Sequence, residues 1–112
     1  MSFILYGCKV FNQCLDKWNV GNVTDMCKMF AYCLEFNQPL NEWDVSKVKD
    51  MSFILYDCKV FNQCFNLWEV GNVTDMCKMF AYCLEFNQPL NEWDVSKVKD
   101  MKFMFNGCRE FN

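Results

Sequence analysis

Phe11-Asn12-Gln13 returns as Phe36-Asn37-Gln38, Phe61-Asn62-Gln63 and Phe86-Asn87-Gln88, and Phe111-Asn112 begins the string again: the chain is one 25-residue unit said repeatedly. No other property of the sequence constrains the fold as much. A unit of this size cannot bury an apolar face alone and must stack on its neighbours to do so. The expected organisation is one repeat domain over 1–112, with a partial rung 1–10, rungs 11–35, 36–60, 61–85 and 86–110, and a partial rung 111–112.

In register, each full unit carries Trp (Trp18, Trp43, Trp68, Trp93) and, two residues on, Val (Val20, Val45, Val70, Val95). Cys8, Cys33, Cys58, Cys83 and Cys108 share one position. A second period of 50 lies above the first, since residues 1–50 and 51–100 differ only at Gly7/Asp57, Leu15/Phe65, Asp16/Asn66, Lys17/Leu67 and Asn19/Glu69. Such near identity is the mark of recent duplication or of design.

The spacing predicts secondary structure. Met26, Met29, Phe30 and Cys33 stand at i, i+3, i+4 and i+7, one stripe of an α-helix, and the offsets recur from Met51 and Met101. Short helices are therefore expected near 25–33, 50–58, 75–83 and 100–108, with Asp25, Asp50, Asp75 and Asp100 as their N-caps. Helices this short need packing to persist, which stacking would supply. The Phe-Asn-Gln turn, with Pro39 or Pro89 in half the rungs, stops the helix. Leu40, Trp43, Val45 and Val48 follow in a spacing that predicts a brief parallel strand around each Trp. The expected fold is α/β, a leucine-rich-repeat-like solenoid of about four rungs, each a short strand plus a short helix; a β-only solenoid is the runner-up.

The L-x-x-W-x-V-x-x-V spacing is similar to the L-x-x-L-x-L core of leucine-rich repeats. The fuller string FNQPLNEWDVSKVKDM, followed by an apolar segment ending in Cys, resembles the 25-residue repeats of the bacterial surface protein A-like and mycoplasma lipoprotein family along the whole chain. The resemblance implies a leucine-rich-repeat-like solenoid, exposed on microbial surfaces or encoded by large DNA viruses, with adhesion or protein binding as its role and no catalytic residues to carry over. The extra cysteines Cys14, Cys27, Cys64 and Cys77 depart from that pattern.

The chemistry of the residues points away from catalysis. The chain has no histidine, so imidazole bases, Ser-His or Cys-His pairs and His-containing metal sites are excluded. Gly7, Gly21, Gly71 and Gly107 stand apart and form no phosphate loop. No enzyme activity, cofactor or metal is expected. A net charge of -3 argues against a general nucleic-acid binder, and no apolar stretch reaches the roughly 18–20 residues that span a bilayer. Met1 to Tyr6 recurs as Met51 to Tyr56, so it reads as repeat and not as a targeting signal. Of the nine cysteines, the five in register read as a reduced core ladder. Cys8/Cys14 and Cys27/Cys33 disulfides are the alternative, and soft-metal thiolate binding a weaker one.

Function then rests on the surface. Residues flanking each Trp and Val are expected to face outward: Lys17, Asn19, Glu42, Asp44, Leu67, Glu69, Glu92 and Asp94. They form a mainly acidic strip, on or beside which four of the five differences between the halves fall. This predicts a non-enzymatic interaction or adhesion module with a protein partner, favouring a basic one; a structural spacer or self-assembling array is the alternative. Exposed apolar residues in the partial rungs, such as Phe3, Ile4, Met104 and Phe105, predict self-association, as a filament if head to tail and a dimer if like to like.

Overall fold

A computed structural model, describing residues 1–111, shows 25-residue coils lying one upon the next. Parallel bridges join Asp25 to Asp50, Asp50 to Asp75 and Asp75 to Asp100. Apart from these isolated bridges there is no strand among the described residues, and no helix. The α/β, leucine-rich-repeat-like architecture of strand-plus-helix rungs is therefore overturned. Segments 25–33, 50–58, 75–83 and 100–108 are chains of turns, and no strand forms around Trp18, Trp43, Trp68 or Trp93.

The hydrogen bonds show why. In 26–33, alternate amides close turns: Met29, Ala31 and Cys33 donate to the carbonyls of Met26, Lys28 and Phe30 at 3.2, 3.2 and 3.0 Å. The amides between them leave the segment, as Lys28, Phe30 and Tyr32 donate to Ser52, Ile54 and Tyr56 of the next coil at 3.0, 2.9 and 2.8 Å. A helix would keep all of them, each bonding four residues back. Lys28 and Tyr32 have φ of 59° and 64°, a left-handed conformation that interrupts a right-handed helix and suits the third position of a tight turn. The same two places in the repeat are left-handed at Phe3, Phe53, Asp57, Lys78, Tyr82 and Phe103, and at Gly7 and Gly107.

The helical apolar spacing nonetheless marks the interior. Met26, Met29, Phe30 and Cys33 are fully buried, because a turn that closes from i to i+3 also returns those two side chains to one side. The Trp segment obeys the same rule. Trp43 donates its amide to Leu40 and Val48 to Val45, at 3.1 and 3.0 Å, and all four side chains are buried at the corners. Asp25, Asp50, Asp75 and Asp100 cap turns, not helices: each Oδ1 accepts the amide two residues on, at 2.8–2.9 Å.

One apolar cluster runs the length of the stack. Phe11, Phe36, Phe61, Phe86 and Phe111 form a column with centroids 5.8–6.4 Å apart and ring planes within 19°. Trp43, Trp68 and Trp93 are buried without orphaning a donor, since their Nε1 atoms donate to the carbonyls of Leu15, Leu40 and Phe65 at 2.7–3.0 Å, whereas Trp18 is exposed. The Asn of the Phe-Asn-Gln string ties coil to coil. Oδ1 of Asn12, Asn37 and Asn62 accepts the amide of the next Asn at 2.9 Å and the side-chain amide of the following Gln at 3.0–3.1 Å.

Candidate functional site

All eight residues of the strip are exposed. Turns, not a strand, present them: Lys17, Glu42, Leu67 and Glu92 lie inside the turn that the Trp amide closes onto a Leu or Phe carbonyl, and Asn19, Asp44, Glu69 and Asp94 lie between that Trp and the Val that opens the next turn. Glu42, Asp44, Leu67 and Glu69 share a shallow open groove of about 240 Å³ with Asn41. Leu67 and Glu69 form the wall between it and a second groove of about 570 Å³, lined also by Glu92, Asp94 and Lys97. Lys17 and Asn19 line neither.

Asp44 and Asp94 are held by their own turns. Asp44 Oδ1 accepts the Ser46 amide at 3.0 Å and the Ser46 hydroxyl at 2.6 Å, and Asp94 Oδ1 accepts the Ser96 amide at 3.0 Å. Hydrogen bonds from the Ser46 and Ser96 side chains, then their amides, hold these carboxyls below the usual range, so both are ionised at neutral pH. Asn19, in register with them, accepts the Gly21 amide at 3.1 Å in the same turn without charge.

The spacing missed the cations that share this face. Lys47 and Lys97 donate to Asn22 and Asn72 one coil back, at 3.0 and 3.3 Å. Their equal place in the repeat was the available signal. Also missed was a ridge on the far segment, where Lys28 Nζ lies 5.3 and 5.0 Å from the ring centres of Phe3 and Phe53, and Lys78 Nζ 5.4 and 5.7 Å from Phe53 and Phe103. Tyr6, Tyr32, Tyr56 and Tyr82 run beside it edge to face, 5.3–5.6 Å apart. The alternation of Phe and Lys at one position, with its period of 50, could have revealed it.

All nine cysteines are free. Of those in register, Cys33, Cys58 and Cys83 are buried and Cys8 and Cys108 half-buried; Sγ of Cys33, Cys58, Cys83 and Cys108 donates to a carbonyl 28 residues back at 2.8–3.0 Å. Burial pushes the Cys33 thiol up to about 11 and raises Cys58 and Cys83 too. Neither Cys8/Cys14 nor Cys27/Cys33 is bridged. Cys14 and Cys64 are exposed, Cys27 and Cys77 half-buried.

The grooves are open and shallow, and their charged groups repeat along the stack instead of converging on a point. That geometry suits an extended ligand lying across successive coils. A family model described as a mycoplasma protein of unknown function, DUF285, matches residues 1–72 and again 41–112. No curated protein and no solved structure matches.

Proposed function

The chain belongs to that mycoplasma family of unknown function, and from that premise we propose that it is a non-enzymatic binding module whose acidic grooves take an extended basic segment of a partner protein. The observation that carries this is the arrangement of Glu42, Asp44, Glu69, Glu92 and Asp94 around Leu67 in two grooves with a common wall. Carboxylates repeated coil by coil complement a run of Lys or Arg, and Leu67 offers apolar contact to their stems. The resemblance to surface protein A-like repeats supports the narrower form, adhesion at a microbial surface.

Neutralising the face tests it. Asn at positions 44 and 94 keeps the turn, as Asn19 does already, so the E42Q/D44N/E69Q/E92Q/D94N variant should fold as the parent does. It should bind a Lys/Arg-rich peptide at least about tenfold more weakly, with a flatter dependence on salt. Equal affinity of variant and parent would favour the spacer or array role.

A further inference from the structure

Two rows of the repeat carry the same pattern with opposite charge. Outside the turn chain, one place per coil reads Lys28, Phe53, Lys78; outside the Trp segment, one place per coil reads Glu42, Leu67, Glu92. In each row the three residues lie on successive coils, so one step of the stack sets both spacings, and the two charges of a row stand about 10 Å apart, two steps of roughly 4.8 Å. The rows face opposite ways. Their segments meet across the core, where the rings of Phe30 and Trp43 lie 6.0 Å apart and those of Phe80 and Trp93 6.2 Å. The charges are also unspent. Nζ of Lys28 and of Lys78 lies 5.0 and 5.4 Å from the Phe53 ring centre, a contact that places each ammonium and leaves its charge intact. On that wall Asp25, Asp50, Asp75 and Asp100 accept the amides of their own turns, and Asp57 pairs with Lys59. On the other, Lys47 and Lys97 bond to Asn22 and Asn72. Among the described residues, no ion pair takes Lys28, Lys78, Glu42 or Glu92. Leu67 is 54% exposed, Glu42 and Glu92 are exposed, and Lys28, Phe53 and Lys78 are half-buried.

We infer that the basic partner of the acidic grooves is a second copy of this chain, whose ridge of Lys28, Phe53 and Lys78 lies along Glu42, Leu67 and Glu92 of the first; this rests on the grooves being a site for a basic partner. Each ammonium meets a carboxylate and Phe53 meets Leu67. All three contacts fall into register together, because a second copy repeats with the same coil step by construction. The ammonium groups are already held against Phe53, which lowers the entropy lost on docking. Like rows do not pair, since that would set Lys against Lys or Glu against Glu. A copy bound through its ridge still presents its grooves on the opposite side. The contact therefore repeats without closing, and the assembly grows sideways, across the stack.

The test is sedimentation velocity in reductant, with circular dichroism confirming that each variant folds as the parent. The parent should show mass rising with concentration at low salt and falling back at high salt. K28E/K78E reverses the ridge and E42K/E92K the groove, where Lys17 already fills the same place in its own coil. Each variant alone should associate at least about tenfold more weakly than the parent. An equimolar mixture of the two should associate again, since the acidic row of one then meets the basic row of the other. In dilute solution a Lys/Arg-rich peptide should bind K28E/K78E as it binds the parent, because the grooves are untouched. A parent that is monomeric at every concentration yet binds the peptide overturns the inference and leaves the grooves a site for some other basic partner. A parent that does neither overturns both. Association of either variant at the parent's strength, or a mixture no more associated than its components, overturns the inference as well.

Discussion

Trp68 shows how one residue serves two requirements at once. Its ring is 3% exposed and stacks on Trp93 at 6.4 Å, while Nε1 donates to the Leu40 carbonyl at 2.7 Å. Trp68→Phe keeps an aromatic ring but removes the donor and part of the volume. It should destabilise the chain by about 2 kcal/mol in urea unfolding. The cysteines divide by the same test of burial. Cys14 and Cys64 should react with a thiol reagent at neutral pH in the folded chain, and Cys33, Cys58 and Cys83 only on unfolding. The sign for pH follows from Cys33, whose thiol rises from its ordinary 9.0 to about 11. The fold favours the protonated form, so the stability it contributes is whole below about 9 and is lost as pH rises through about 11. Unfolding midpoints measured from pH 8 upward should fall across that window, and Cys33→Ala should remove part of the fall.

At the scale of the element, the turn chain depends on left-handed residues that L-amino acids adopt at a cost. Gly7 and Gly107 occupy equivalent places, with φ of 74° and 75°, but differ in their surroundings. A Cβ at position 7 meets nothing within 4 Å, whereas at position 107 it would lie 2.6 Å from the Tyr82 ring. Gly7→Ala should therefore cost about 1 kcal/mol of conformational strain, and Gly107→Ala more, with a changed Tyr82 environment visible by NMR. Substitution the other way has the opposite sign. Asp57→Gly should stabilise by up to about 1 kcal/mol, offset by loss of the exposed pair with Lys59 at 2.7 Å.

At the scale of the molecule, stability accumulates step by step, because each coil bonds only to its neighbours. Inserting a further copy of residues 26–75 after Asp75 adds two coils in register. It should raise the denaturation midpoint and leave the circular dichroism, which lacks an α-helical signature, unchanged in shape. The same insert shortened by one residue shifts every inter-coil bond and should unfold or split the transition. The acidic grooves are a product of this stacking, since two or three adjacent coils are needed to assemble them.

From the sequence alone came the 25-residue register, most of the inward residues, the exposure of the eight strip residues and the burial of Cys33, Cys58 and Cys83, while Trp18 and Val95 stand exposed where the register would place them inside. Each follows from which side of the chain a residue occupies, and that is a local pattern. What only the tertiary structure decided is where the amides bond. Met26, Met29, Phe30 and Cys33 fall on one side both in a helix and in successive turns, so their spacing cannot separate the two. The choice is made by the next coil, whose carbonyls take every second amide and hold Lys28 and Tyr32 left-handed. Gly7 and Gly107 were a local sign of that conformation, yet Tyr32, Asp57 and Tyr82 fill the same place in the other coils. Stacking energy set across 24 residues of sequence outweighs the preference of the single residue, and a pattern read along the chain does not contain it.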